Sequence, residues 1–344
     1  MIIAMTIHHM LAANSTPGAL VPSSETLLRA IEHAIRAPSG HNLQPWRFRV
    51  GSAFIDLIAD RTKSLPVLDP DDRELVMSCG AAIFHLRIAL RHAGYGVRVV
   101  PLPDPDDPDA MARLYAARGA RPTVEEAQLF DAIGRRHTIR TGFLPRPFDA
   151  DIAPLLEAAA AAEGAEFRSI LQPVDRTELI DLVAAGARAQ AGSSPFRREM
   201  AGWLHPAATV DDATEGVVNF PNDVGGLLTY YGPLGSDAAD AGEHFAAHLR
   251  SLAEAAPLLA VLGTDRDGVS EWLEAGQALA HVLLLAAVQG IQAAVLNTPV
   301  QTVSLREKVG QLAGKPLCPQ LVLAFGYAPT IHATPRRPVA DFLM

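Results

Sequence analysis

This sequence predicts an α+β protein of two related α/β halves packed through central helices, and three observations carry the prediction. First, short runs that alternate apolar and polar residues, such as Trp46-Arg47-Phe48-Arg49-Val50, lie among segments of helical periodicity. Second, two helices, about Arg73 to His92 and Glu271 to Gln289, are apolar nearly all round and should be buried. Third, Gly80, His85 and Gly94 of one answer to Gly276, His281 and Gly290 of the other, each pair 196 residues apart, and a strand follows both. Repetition at a fixed offset favours a duplicated unit, equivalent to a fused homodimer whose central helices meet across a pseudo-two-fold axis.

The elements follow in order. Ser23-Ser24-Glu25 caps a helix whose Leu27, Leu28, Ile31 and Ile35 recur at helical spacing until Pro38 ends it. Strands are expected at 46–50 and 54–58, then the first buried helix, closed by Gly94, then a strand at 97–100. The Pro/Asp-rich segment 101–108, with the chain through Arg121-Pro122, reads as the connection between the halves, placed at 20–120 and 121–344. Beyond it come helices at 125–133, 150–162 and 176–191 and a strand at 166–170. The stretch 192–240 is irregular but carries Trp203, Phe220, Tyr230 and Tyr231; a loop this long with aromatics reads as a lid. A strand at 256–263, the second buried helix, an extended piece at 293–297, a helix at 305–312 and a strand at 320–327 complete the pattern.

Composition narrows the class. The chain has 344 residues, 49% hydrophobic and 19% charged, as in ordinary soluble globular proteins, and a net charge of −9 opposes nucleic-acid or anionic-membrane partners. Two cysteines, Cys79 and Cys318, make no disulfide framework or metal knuckle, so a cytoplasmic location is expected. Met1 to Ile7 is apolar without a basic leader and is not read as a signal peptide. The apolar run Ala278 to Val288 is too short to span a bilayer. No Gly-x-Gly-x-x-Gly, Walker loop or nucleophile elbow occurs. His244 and His248 stand four apart without a third ligand at matching spacing, so no metal site is assigned.

Two polar motifs remain, one in each half. In Pro38-Ser39-Gly40-His41-Asn42-Leu43-Gln44-Pro45-Trp46, two prolines stiffen a turn that holds Ser39, Asn42 and Gln44 beside an aromatic. Those groups suit either a turn satisfying its own backbone or a flat, heteroatom-rich ring. In Arg135-Arg136-His137-Thr138-Ile139-Arg140, Arg136, Thr138 and Arg140 alternate onto one side of an extended segment. This is either a solvated basic face or a phosphate cage that Arg336 or Arg337 could close. One site assembled from both halves would take a ring and its phosphate together.

In these motifs the chain resembles the nitroreductase family of flavoproteins, and most closely its Acg-like mycobacterial branch. That branch shows Ala-Pro-Ser-x-His-Asn-x-Gln-Pro-Trp, a later Arg-Arg-His-Thr-x-Arg and a terminal Arg-Arg-Pro in one double-length chain, and the match runs from about residue 24 to 342. The resemblance implies a tandem nitroreductase-like fold. It implies FMN as cofactor, NAD(P)H as reductant and nitroaromatic, quinone or similar small-molecule acceptors. It implies a phosphate held by Arg136, His137, Thr138, Arg140 and Arg336 or Arg337, and a ring met by Pro38, Ser39, Asn42 and Gln44. It also implies a backbone N–H to the flavin from the Pro299-Val300-Gln301 segment. The flavin carries the chemistry, so no catalytic side chain is assigned. Because the first half lacks the arginine motif and the second lacks the Asn-Gln-Pro-Trp turn, one FMN per chain is expected. The fused halves would let a monomer do what a homodimer does elsewhere, while the lid favours the alternative of a protein that sequesters flavin with little turnover.

Overall fold

The computed structural model describes residues 21–119, 121–140, 142–149, 151–206, 217–219, 238–314, 317–328 and 334–344; of 204–206, 217–219 and 238–241 it describes the backbone alone. The opening Met1 to Ile7 segment, and Phe220, Tyr230 and Tyr231 of the expected lid, lie outside the described residues.

Helix α1 (Ser24–Ala34) starts where the Ser23 hydroxyl accepts from the Thr26 amide at 3.2 Å, and it buries Leu27, Ala30, Ile31 and Ala34. The chain then turns through 38–45 into β1 (Trp46–Val50) and β2 (Phe54–Ala59), paired antiparallel with Trp46 opposite Ala59. Helix α2 (Arg73–His92) follows. Asp69 caps it from three residues upstream of its N-cap, its Oδ2 accepting from the Glu74 and Leu75 amides at 2.9 and 3.0 Å. Then come β3 (Tyr95–Pro101) and β4 (Ala110–Arg118), and the sheet runs in the order β1-β2-β4-β3, antiparallel throughout.

Strand β4 corrects the expectation that 101–122 is only a connection. Its apolar positions are mostly alanine, which blurs the alternation, and Pro/Asp residues precede it; pairing with β2 and β3 on its two sides makes it a strand.

Helices α3 (Val124–Ala132) and α4 (Ile152–Ala161) lead to β5 (Glu166–Ser169), and α5 (Pro173–Gly192), α6 (Ser194–Ala201), β6 (Leu204–Pro206), β7 (Val217–Asn219) and α7 (Ala238–Ala255) follow. The stretch expected as irregular is therefore helical at both described ends. The chain closes with β8 (Leu258–Thr264), α8 (Val269–Val288), β9 (Gln292–Val295), α9 (Thr298–Gln301), α10 (Val303–Ala313) and β10 (Cys318–Gly326). The second sheet runs β5-β8-β10-β9, again antiparallel. In both sheets the strands, numbered along the chain, lie in the order first, second, fourth, third, with a long buried helix between the second and third.

Helices α2 and α8 cross where glycine removes the side chain from both. A Cβ on Gly80 would strike the Leu273 carbonyl oxygen and stand 3.0 Å from the Gly276 Cα; one on Gly276 would strike the Met77 carbonyl oxygen. Around that crossing, Leu273, Ala280, Leu284 and Ala287 of α8 join the core of the first sheet, and Met77 of α2 joins that of the second. Gly94 and Gly290 end the two helices in the left-handed region, at φ +87° and +73°. The tail returns to the first sheet: the Met344 amide donates to Phe48 O at 3.0 Å, and buried Phe342 packs on Trp46 with ring centres 6.5 Å apart. No helix among the described residues is long and apolar enough to cross a membrane.

Candidate functional site

A cavity of about 220 Å³ opens between the two sheets' helices. Pro38, Ser39, Gly40 and His41 form one edge, Glu74, Met77 and Ser78 of α2 and Asn297, Thr298 and Gln301 around α9 its floor, and Thr138, Ile139 and Arg140 a third side. Phe196 of α6 and Phe245, His248, Leu249 and Leu252 of α7 close it with a largely apolar wall. The wall is clasped to the segment that precedes α2, because Glu199 of α6 accepts from the Val67 and Leu68 amides at 2.9 Å each.

The floor is a fixed polar network. Glu74 accepts from both Asn297 Nδ2 and Gln301 Nε2, the latter at 3.0 Å to each oxygen, and Arg73 lies 3.1 Å from it. Gln301 Oε1 in turn accepts from Gln190 Nε2 of α5 at 2.7 Å, and Asn297 Oδ1 accepts from the Val322 amide at 3.3 Å. A carboxylate on α2 therefore sets the amide orientations of three residues from α5 and the segment around α9. Burial, with Glu74 close by, pushes the Asp69 carboxyl up to about 6.

The 38–45 turn spends much of its polarity on itself. His41, Asn42 and Gln44 have φ of +49°, +56° and +52°, a region side chains seldom adopt. Ser39 Oγ accepts from the Gln44 amide at 3.1 Å, Gln44 Nε2 donates to Asn42 O at 3.1 Å, and Asn42 Nδ2 donates to Pro335 O at 3.1 Å. Arg337 completes the clasp: its amide donates to Gln44 Oε1 at 3.1 Å and its guanidinium to Gln44 O at 2.8 Å. Of the sequence-predicted ring contacts, Pro38 and Ser39 face the cavity, while Asn42 and Gln44 are buried behind it and tied to the tail.

Arg136 and Arg336 converge on the C-terminal end of α1. Arg136 donates to Arg36 O at 3.1 Å, with its Nε buried and without a partner among the described residues. Arg336 donates to Ile35 O at 2.9 Å and to Ala37 O at 3.2 Å, where the helix dipole favours a cation. Arg36, Arg136 and Arg336 form no ion pair among the described residues. Burial pushes Arg136 down to about 10; burial followed by repulsion from Arg136, Arg36 and Arg140 pushes Arg336 down to about 9. A guanidinium keeps its proton in a protein, so the depressions mark charge held out of water, to which neighbouring cations add at Arg336; an anion would relieve both.

The remaining predicted residues divide. Thr138 bridges to Ala293 of β9, and with the Ile139 amide donating to Ala293 O at 2.8 Å this brings Thr138 and Arg140 to the cavity. The His137 amide donates to Gln292 Oε1 at 3.2 Å, and burial and Arg136 push its imidazole down to about 4. The Val300 and Gln301 amides both donate to Asn297 O at 3.0 Å; Pro299 and Val300 are buried in α9, and Gln301 reaches the cavity by its side chain.

No family model matches the chain. A protein of Mycobacterium tuberculosis H37Rv bearing the name "Putative NAD(P)H nitroreductase Rv3131" is 32% identical over 331 residues, 93% of this chain and 91% of that one. The chain belongs to the nitroreductase family. A second relative in that organism, "Putative NAD(P)H nitroreductase acg", is 27% identical, over 93% of this chain and 95% of that one. The crystal structure of the FMN-dependent nitroreductase NfnB from Mycobacterium smegmatis in complex with NADPH overlaps 62% of this chain and 96% of its own, at 15% identity and a TM-score of 0.43.

In this nitroreductase-family chain the spacing of motifs missed Arg36, His41, Glu74 and Gln190 as members of the site. Glu74 reads in sequence as a first-turn acid of a helix, and Gln190 and Arg36 as ordinary helix-end residues. Only tertiary packing brings His41, Glu74 and Gln190 to the cavity and the Arg36 carbonyl to Arg136.

Proposed function

We propose that the chain is an FMN-binding oxidoreductase of its family that takes electrons from NAD(P)H and reduces nitroaromatic, quinone or similar small-molecule acceptors. The observation that carries this reading is the pair Arg136 and Arg336, without carboxylate partners among the described residues, on the backbone carbonyls of 35–37 that lead into the Pro38 edge of a cavity with apolar walls, which Arg140 lines. The donor set fits FMN: guanidiniums for a phosphate dianion, Pro38 and Ser39 for a planar ring, and a buried unsatisfied Arg136 Nε that a phosphate oxygen would satisfy. FMN bound there would supply the redox chemistry. The protein's part is to hold the phosphate at Arg136 and Arg336, to fix the cavity floor through Glu74, Asn297 and Gln301, and to keep water from one side with the α6–α7 wall.

On this reading the two halves, about 20–120 and 121–344, are nitroreductase-like units in tandem. The turn of one and the arginines of the other make a single site, giving one FMN per chain and letting a monomer suffice. The same strand order in both sheets and the shared core at the α2–α8 crossing support the duplication. The purified protein is expected to show a flavin band in the visible spectrum, natively or after reconstitution with FMN; a colourless protein that stays colourless refutes the reading. A flavin-sequestering protein is the second reading, favoured by Phe196, Phe245, His248 and Leu249 standing over the cavity. Anaerobic mixing with NADPH or NADH separates the two, since prompt bleaching supports the enzyme and an unchanged spectrum supports sequestration.

A further inference from the structure

His41 lines the cavity, yet its ring makes no hydrogen bond among the described residues. Its Nδ1 is buried without a hydrogen-bond partner among the described residues, whereas Nε2 is not so sealed. The backbone beneath is costly: His41 and Asn42 follow each other at φ +49° and +56° in a short 3-10 turn. Side chains held in such conformations cluster where a ligand is clamped. The turn is pinned in place by the Gly40 amide on Ser78 Oγ at 3.3 Å and by the Asn42 and Gln44 contacts with the tail, so the imidazole is presented by a rigid support.

The tautomer follows from the surroundings. A proton on Nδ1 would be a buried donor with no acceptor, which costs more than a buried lone pair, so neutral His41 carries its hydrogen on Nε2. The charged groups bearing on the ring are Glu74 of α2, which favours imidazolium, and Arg140, which opposes it; burial outweighs both and holds the ring neutral. A neutral imidazole in a site is a hydrogen-bond donor rather than an acid, able to polarise an oxygen without delivering a charge.

We propose that His41 is a recognition residue of this cavity, donating from Nε2–H to an exocyclic oxygen of a planar conjugated ring bound there. The inference rests on the flavoprotein reading for the identity of the ring. The oxygen belongs either to the cofactor ring or to a nitro or quinone acceptor, and both sources share this chemistry.

The test uses the full chain and its His41→Leu and His41→Gln variants, with folding checked by thermal melting. FMN binding is measured by fluorescence titration, and 4-nitrobenzoate binding by calorimetry on protein with and without FMN. A rise of about five-fold in the FMN dissociation constant of His41→Leu, the worth of one neutral hydrogen bond, with recovery in His41→Gln, identifies the cofactor oxygen. The same pattern for 4-nitrobenzoate alone identifies the acceptor. Unchanged constants for both ligands in folded His41→Leu overturn the proposal. Nitrogen-15 shifts of His41 in the wild type give an independent reading should the variant not fold: the Nε2–H tautomer at pH 7 is expected, and Nδ1–H or imidazolium overturns it. Absence of FMN binding by the wild type refutes the flavoprotein reading instead, and the calorimetry on flavin-free protein and the nitrogen shifts still decide His41.

Discussion

Arg136 illustrates what a single residue decides. Its spacing with Thr138 and Arg140 marks a basic segment, but a solvated face has the same spacing; burial at 5% exposure with Nε unsatisfied distinguishes the two. On the proposed function, Arg136→Ala is expected to weaken FMN binding by about 1.5–3 kcal/mol, the range of a charge-assisted hydrogen bond, and an unchanged dissociation constant would remove Arg136 from the phosphate site. Arg337 shows the opposite outcome. In sequence it equals Arg336 as a candidate, yet its guanidinium lies 4.3 Å from the Phe342 ring centre and binds Gln44 O, so its charge is used to fasten the turn. Neighbouring arginines are indistinguishable until the tail's path is known.

Among elements, the α2–α8 crossing was the most legible. Helices without a polar face must be buried; that they meet at Gly80 and Gly276 came from the structure, where two backbones approach this closely only because both side chains are missing. Gly80→Ala and Gly276→Ala are each expected to lower stability by about 1–3 kcal/mol, as overpacking in a close-packed core does. Chemical denaturation would show it, and an unchanged midpoint in either variant would mean that the helices part at little cost. Strand β4 was illegible for the converse reason. With Ala110, Ala112, Ala116 and Ala117 at both faces it has little hydrophobic contrast, and its hydrogen bonds to β2 and β3, not its own pattern, define it.

At the scale of the whole molecule, the central packing leaves His85 and His137, like His41, resisting protonation. His85, fully buried with Nδ1 3.2 Å from His33 O, is pushed down to about 3 by burial and then by Arg136, and His137 to about 4. The unfolded chain takes up these protons near pH 6.5 while the folded chain refuses them. Their stabilisation is therefore complete above pH 6.5 and is lost as pH falls towards 3–4. Asp69, raised to about 6, works in the opposite sense, its folded form gaining relative stability between about pH 6 and pH 4. His85→Phe isolates one contribution. The loss of stability between pH 7 and 5.5 is expected to be smaller than in the wild type by about 1.4 kcal/mol, read from denaturation midpoints at both pH values. Equal losses would show that His85 is protonated in the folded protein.

The sequence by itself determined the α+β class, the two buried helices and the two polar motifs, because periodicity and chain stiffness at proline are local properties. Only the tertiary structure decided which polar groups meet. Glu74 of α2 orients Asn297 and Gln301 across more than 220 residues of chain. The tail at 334–344 crosses back to hold the 38–45 turn, and Arg36 joins Arg136 and Arg336 at the end of α1. Such contacts depend on where helices dock rather than on what any segment prefers. A turn that in sequence offers Ser39, Asn42 and Gln44 alike is thereby divided into an edge that faces the cavity and a side that holds it in shape.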